Sequence, residues 1–413
     1  MTSAPRERAR LLIGGASVNL CLGSLFAWSL FVEPLAAAFE ATAATISTVF
    51  SAAVAVFATI VLVSGRTVDR WPPARTVLAA AVCAPLGLLV AARAPSLAWV
   101  VVGYSGLFGV ANGLGYASAV AVASRCFGRR RGFAVGVVVG AYAAGPLVAS
   151  PVITALLARA DWRAAMVALA VGVGVVLTVG AALLGAGERA AGGDPTGAGE
   201  RQRAAGGDPT GAGERHATSG PTARARSAGL LLWSAFLLGT LPALLVVAHA
   251  APMARGAGLG AAATGAAVAL VGAGNLIGRT GGGWLSDRTG RVPGLRAATV
   301  GLAACCLMLP VARAAVPVLV LVTMVGVGYG VQSALVPALT ADMFGTDNFG
   351  VIYGRVFTGW GVAGLAGPQI GARLSDGGDF GDGLLVGAAA AAAAFGLHTW
   401  LGRAIPATTA DPS

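Results

Sequence analysis

The stretch "GNLIGRTGGGWLSDRTGR", residues 274–291, places an arginine, Arg279, inside an apolar run and follows it with a compact charged knot, SDRTGR. Arg279 precedes Asp287 by eight residues, about 12 Å along a helix. If the knot marks one membrane face, that distance puts the guanidinium near the midplane of a hydrocarbon core about 30 Å thick. A cation there costs at least about 2.5–3.5 kcal/mol, so it must face water or an anion rather than lipid.

The surrounding composition supports a lipid environment. The 413 residues are 56% hydrophobic and 11% charged, with a mean hydropathy of +0.78. A water-soluble chain of this size cannot hide so much apolar surface. Twelve apolar segments are each long enough to span a bilayer: 11–32, 46–65, 76–93, 97–124, 132–157, 164–186, 228–250, 259–283, 294–312, 316–341, 353–373 and 383–402. The predicted fold is an all-α membrane protein of twelve transmembrane helices. The three arginines before the first run resemble a signal-peptide n-region, but the run continues past signal length and is taken as a retained helix.

All 28 basic residues are arginine, and the formal charge is +11. They sit in short clusters between apolar runs, which fits membrane orientation and not a nucleic-acid partner. With the N-terminus inside, 21 arginines fall in inside segments, six in outside segments, and Arg279 within a span. The expectation is a multi-pass protein of the cytoplasmic membrane, monomeric, with both termini in the cytoplasm. Five cysteines form no C-x-x-C pair, and the three histidines (His216, His249, His398) have no metal-ligand spacing. Neither a metal, a cofactor nor an enzyme activity is expected.

Two repeats shape the organisation. "GERAAGGDPTGA" recurs within 187–227, a Gly- and Ala-rich stretch without apolar anchors, expected to be a disordered cytoplasmic linker. A longer-range repeat pairs "GVANGLGYASAV" at 109 with "GVGYGVQSALV" at 326, Asp69 with Asp287, and "AGP" ending at Pro146 with "AGP" ending at Pro368, all at offsets of 217 to 222. Three landmarks in one order indicate a duplicated six-helix unit. The expected domains are a bundle at 1–186 and a second at 228–413, pseudo-symmetric about a central cavity, the arrangement that two halves rocking around a midplane site require. Pro146 and Pro368 are expected to bend helices 5 and 11.

The knot "GWLSDRTGR" at 283–291 resembles the signature G-x-L-x-D-R-x-G-R of the major facilitator superfamily. Its first-half copy, "GRTVDRWPPAR", keeps Gly65, Asp69, Arg70 and Arg75 but has "PP" in place of the second Gly. The resemblance implies a gating role for Gly65, Asp69 and Arg70, and for Gly283, Asp287, Arg288 and Arg291. In it the loop carboxylate latches one face against a helix N-terminus of the other half. Within the superfamily, "NLCLGSLFAWSLFVEPL", "RCFGRRRGFAVG", the 274–291 stretch and "ALTADMFGTDNFGVIYGRVFTGWGVAGLAGP" together resemble the oxalate/formate antiporter family, which is related to monocarboxylate porters.

That resemblance implies that Arg279 binds a substrate carboxylate. The alternative is a guanidinium capped by carbonyls or snorkelling inward. Asn275, one turn earlier, stands where the porters tend to carry Asp; an amide can orient the arginine but takes no proton. The porters' helix 1 lysine falls at Trp28, and the oxalate exchanger's second cation near Trp360. A site with one fixed charge suits a small monocarboxylate better than a dianion. Asn112, Tyr116, Tyr329, Gln332 and Tyr353 are further candidate cavity residues, and His249 is a candidate proton-coupling group. The expected function is secondary active transport of a small organic anion, by exchange or proton coupling. A drug or metabolite efflux antiporter and a membrane sensor without transport stay open.

Overall fold

A computed structural model describes residues 3–126, 131–190, 223–344, 349–375 and 379–404 of the chain. Within them the chain forms twelve helical rods and no β-strand. Helix α1 runs Ser3–Leu22 and continues through a 3-10 stretch, Gly23–Phe31, into Val32–Ala38. Then come α2 (Ala43–Arg70), α3 (Pro73–Ala92) and α4, whose parts are Leu97–Val100, a π-helical stretch Val101–Phe108 and Gly109–Cys126. Helices α5 (Arg131–Arg159) and α6 (Trp162–Ala190) complete the first half. The second half contains α7 (Ala223–Gly256), α8 (Ala261–Thr289), α9 (Arg291–Met308), α10 (Ala315–Phe344), α11 (Phe349–Arg373) and α12 (Gly381–Ala404). Eleven rods are long and apolar enough to cross a membrane. Helix α11 is outside that group, since its glycines, Arg355 and Gln369 lower its hydropathy. Most of the linker, 191–222, lies outside the described residues.

The packing has a two-fold pattern. In the first half α3 and α1 both pack on α6, α2 packs on α4, and α1 on α5. Six helices later the same pairs recur: α9 and α7 on α12, α8 on α10, and α7 on α11. The halves meet through α5 against α8 and α2 against α11, two contacts that the same pseudo-symmetry exchanges. The rods thus form two pseudo-symmetric six-helix bundles. Pro146 and Pro368 both lie inside their helices.

Several helices extend beyond their apolar runs. The charged knot, expected as a loop, is the last turn of α8: the helix continues through Thr289, and the reversal into α9 takes one residue. Gly290 makes that reversal with φ of 89°, a region that side-chain-bearing residues avoid. Its N–H bonds the Ser286 carbonyl at 2.9 Å, closing the helix end.

Helices α8 and α10 pack backbone to backbone. A Cβ at Gly278 would overlap the Val327 carbonyl, and one at Gly330 would overlap the Asn275 carbonyl. Only hydrogen fits on either side, so the two backbones touch at the turn that carries Asn275 and Arg279. Gly330→Ala is expected to force the seam apart at a cost of about 1–3 kcal/mol, lowering the melting temperature in detergent. Gly396→Ala, at a position with open space, should leave it unchanged or raised. Equal melting temperatures for the two variants would contradict the seam.

Candidate anion-binding site

Arg279 is half-buried on α8, at the meeting of the two bundles. Its Nε donates to Asn275 Oδ1 at 3.0 Å, one helical turn back. Asn275 is itself buried and held by the α8–α10 seam, so this bond fixes the guanidinium plane. The two terminal nitrogens keep their hydrogens for another acceptor. Among the described residues no carboxylate pairs with Arg279.

The guanidinium borders a cavity lined almost wholly by rings. The first bundle contributes Phe26, Phe57, Tyr116 and Tyr142; the second contributes Phe236, Tyr329, Tyr353, Phe357 and Trp360, with Ser333 beside them. These residues come from α1, α2, α4, α5, α7, α8, α10 and α11; among the described residues α3, α6, α9 and α12 contribute nothing to the lining. The free volume is about 20 Å³, room for about one water. Rings cross between bundles: Phe57 meets Trp360 edge-on at 5.4 Å, and Phe26 meets Tyr329 at 6.0 Å.

The polar tips of the rings are organised. Tyr142 donates to Asn112 Oδ1 at 2.8 Å, and Asn112 donates to the Phe108 carbonyl at 2.9 Å. Asn112 therefore stands behind the cavity wall and holds Tyr142. Trp360 Nε1 donates to the Tyr329 hydroxyl oxygen at 2.7 Å, which leaves the Tyr329 hydrogen for another acceptor. Tyr116 shares the cavity lining with Arg279.

Of the residues singled out in the sequence, Arg279, Tyr116, Tyr329, Tyr353 and Trp360 share the cavity lining, with Asn275 and Asn112 behind it. Trp28 is outside it, buried against Tyr104 at 4.5 Å and Phe31 at 6.2 Å. Gln332 turns from the cavity onto Gly239 of α7, with no hydrogen-bond partner for its amide atoms. Phe26, Phe57, Tyr142, Phe236, Phe357 and Ser333 had not been singled out: in an apolar run, a ring that faces a cavity has the same sequence signature as a core ring.

The ends of the bundle differ. At the end remote from the termini, Arg255 of α7 pairs with Glu33 of α1 at 2.6 Å. Nearby, His249 Nε2 and the Ser47 hydroxyl are 3.0 Å apart, and His249 Nδ1 lies 2.9 Å from the Leu245 carbonyl. A carbonyl only accepts, so Nδ1 carries the hydrogen and Nε2 accepts from Ser47. Ser51 of α2 donates to the Leu365 carbonyl of α11 at 3.2 Å. All but the Leu245 bond link the two bundles.

At the opposite end, Arg291 donates to Asp287 Oδ1 at 2.5 Å and Ser286 Oγ at 2.6 Å, and its Nε lies 3.4 Å from Asp342. Arg288 covers the Trp284 ring at 3.7 Å. These contacts stay within the second bundle, and Gly283 faces open space. The side chains of Gly65, Asp69 and Arg70 lie outside the described ones.

The sequence matches the family model described as Major Facilitator Superfamily over residues 13–368. It is 28% identical over 149 residues to "Uncharacterized MFS-type transporter YhjX" of Escherichia coli, covering 36% of this chain and 37% of that protein. It is 32% identical over 151 residues to "Monocarboxylate transporter 11" of Mus musculus, covering 37% of this chain and 34% of that protein. The chain thus spans about a third of the length of the curated relatives it matches. Its fold is similar to that of the xylose transporter XylE from E. coli, with a TM-score of 0.68, 13% identity and 98% of each chain covered. It is also similar to a peptide transporter POT, with a TM-score of 0.71, 14% identity, and 95% and 93% covered.

The Glu33–Arg255 pair is partly exposed, at 53% and 30%, so it contributes at most about 1 kcal/mol to closing its end. Glu33→Gln should therefore raise thiol labelling of a cysteine placed at Thr154 of α5, which packs against Gly265 of α8 across the junction of the bundles, in a background without the native cysteines, by up to about fivefold. Unchanged labelling would show that the pair does not hold that end closed.

Proposed function

Since the chain belongs to the Major Facilitator Superfamily, we propose that it is a secondary transporter that moves a small organic anion, a monocarboxylate, by alternating access. One observation carries this reading: Arg279 sits at the junction of the bundles, held by Asn275, with its terminal nitrogens free of any described carboxylate. A guanidinium in a low-dielectric cavity is matched by an acceptor that takes both terminal nitrogens, and a carboxylate does so bidentately. The resemblance to the oxalate/formate antiporter family and the printed name of the mouse relative support the same substrate class.

The charge balance selects among carboxylates. Arg279 is the cation that borders the cavity; the rest of the lining is rings and a serine. One cation neutralises one negative charge, and a dianion would bring a second, uncompensated charge into the apolar site. The phenol hydroxyls of Tyr116 and Tyr329 add donors to the carboxylate, while ring faces accommodate the remainder of the substrate.

In this mechanism the rigid units are the two six-helix bundles, joined by the segment between α6 and α7, in the cytoplasmic membrane with both termini inside. The structure is closed at the Glu33–Arg255 end; rocking about α5–α8 and α2–α11 would break those contacts and form others at the Asp287 end. Anion exchange accounts for the cycle without a proton carrier: empty, the site leaves Arg279 desolvated and unneutralised, which penalises return without an anion. His249 serves in the closed contact, its two nitrogens already engaged with Ser47 and Leu245.

Counterflow in proteoliposomes with a panel of labelled mono- and dicarboxylates tests the proposal. Arg279→Gln should cost about 2–5 kcal/mol of anion binding, an affinity loss of at least about 30-fold. Transport of uncharged or cationic compounds that persists in Arg279→Gln, with no carboxylate flux in the native protein, would overturn it and favour an efflux antiporter.

Asn275→Asp provides an independent check. It installs an ionised carboxylate against Arg279 that competes with the substrate. Uptake should fall at neutral pH and recover as the pH drops and the new carboxyl is protonated, whereas a pH-independent loss would mean that Asn275 does not set the charge at Arg279.

A further inference from the structure

A second cavity, of about 330 Å³, lies within the second bundle, apart from the ring-lined site. Its walls come from α7 (Met253, Gly256, Ala257), the α9–α10 connection (Leu309, Pro310, Arg313), Val318 of α10 and, at α12, Asp379, Phe380 and Leu384. The floor is apolar and buried, formed by Leu309, Val318, Phe380 and Leu384. The rim carries one charge of each sign. Arg313 and Asp379 are both exposed, and neither forms an ion pair among the described residues. Asp379 uses Oδ1 to cap the Gly381 N–H at 2.9 Å, which leaves Oδ2 for another donor.

The surroundings of the mouth indicate from which side an occupant arrives. Met308, Val311 and Val316, sequence neighbours of the lining residues Leu309, Pro310 and Val318, are among the most exposed apolar residues, Val311 at 76% and Val316 at 70%. In a membrane-spanning bundle such residues face acyl chains. An occupant that satisfies both the lipid-facing approach and the paired charges is an amphiphile with a zwitterionic head.

We propose that this cavity binds a phospholipid whose headgroup carries a primary ammonium, of the phosphoethanolamine type. Its phosphate pairs with Arg313, its ammonium donates to Asp379 Oδ2, and its glycerol and upper acyl region cover Leu309, Val318 and Leu384. A quaternary ammonium has no N–H to donate, and an anionic head would face Asp379 with like charge; both fit less well. The site also touches the closed end of the transporter. Phe380 lines the cavity and lies 5.1 Å from the His249 ring, and His249 holds Ser47 of the other bundle. A bound lipid braces Phe380 against His249 and so favours the closed arrangement of that end.

The test uses the full chain, delipidated in detergent and incubated separately with phosphatidylethanolamine, phosphatidylcholine and phosphatidylglycerol of identical acyl chains. Native mass spectrometry should show several-fold more phosphatidylethanolamine retained than either other lipid. Arg313→Gln and Asp379→Asn should each bring that retention down to the phosphatidylcholine level; asparagine preserves the cap on Gly381, so folding is not at stake. Arg279→Gln should leave retention unchanged, which separates this site from the proposed transport site. In the Thr154 labelling assay, phosphatidylethanolamine should reduce the labelling rate about twofold relative to phosphatidylcholine, a shift of about 0.4 kcal/mol. Equal retention of the three lipids, or native-like retention by both rim variants, overturns the site. Retention without any change in labelling overturns its link to closure.

Discussion

A fixed positive charge inside an apolar helix is the constraint on which this structure rests. Arg279 cannot discard its proton, and placing it in hydrocarbon is costly. The fold meets that cost in stages. The glycine seam between α8 and α10 brings backbone against backbone at the turn holding Asn275 and Arg279. Asn275 engages Nε, and rings from both bundles surround the remainder. Among the described residues no countercharge is supplied, and the location of Arg279 between two bundles is why we propose an anion as the piece that completes the site.

Most of the architecture was legible in the sequence because lipid imposes a simple code. Twelve runs of about membrane length became twelve rods, and the long-range repeat became the two-fold pattern of helix pairs. The code failed at the ends, where it measures apolarity and not hydrogen bonding. Helix α8 continues through Ser286, Asp287 and Thr289 because its backbone bonds persist into the interface until Gly290 reverses the chain. Arg279 was legible since a charge in an apolar run has few alternative explanations. Trp28 and Trp360 were not separable: both are tryptophans in apolar helices, yet one packs on Tyr104 in the core and the other joins the cavity. Tyr142 and Phe57 were missed for the same reason, since their role depends on which face of the helix meets the other bundle.

The two ends of the molecule show how the halves divide their contacts. At the Glu33 end, an ion pair, the Ser47–His249 bond and the Ser51–Leu365 bond all run from one bundle to the other. At the Asp287 end, the described charges close on themselves: Arg291 ties α9 to Asp287 of α8 and Asp342 of α10 within one bundle. Contacts of the first kind must break for that end to open, whereas those of the second keep the second bundle rigid while it moves. The individual inter-bundle bonds are weak enough to exchange, since an exposed pair contributes about 0–1 kcal/mol. A cycle built from a few such bonds keeps its two states close in energy, which a carrier needs if neither state is to trap it.

The same arithmetic connects substrate charge to coupling. On the proposed reading, the cavity with its anion bound is neutral overall and the bundles cross the midpoint with no net charge buried. When it is absent, Arg279 faces the midpoint alone, its desolvation offset in part by Asn275. The difference makes the loaded crossing faster than the empty one, and that asymmetry is what obligate exchange requires. A carboxylate beside the arginine would remove it, because an internal ion pair neutralises the empty site as well as a substrate does, and proton binding would then have to clear the site before loading. In the proposed exchange cycle the amide at position 275 therefore sets more than geometry: it keeps the empty carrier charged, and so makes its return dependent on an anion from the other side.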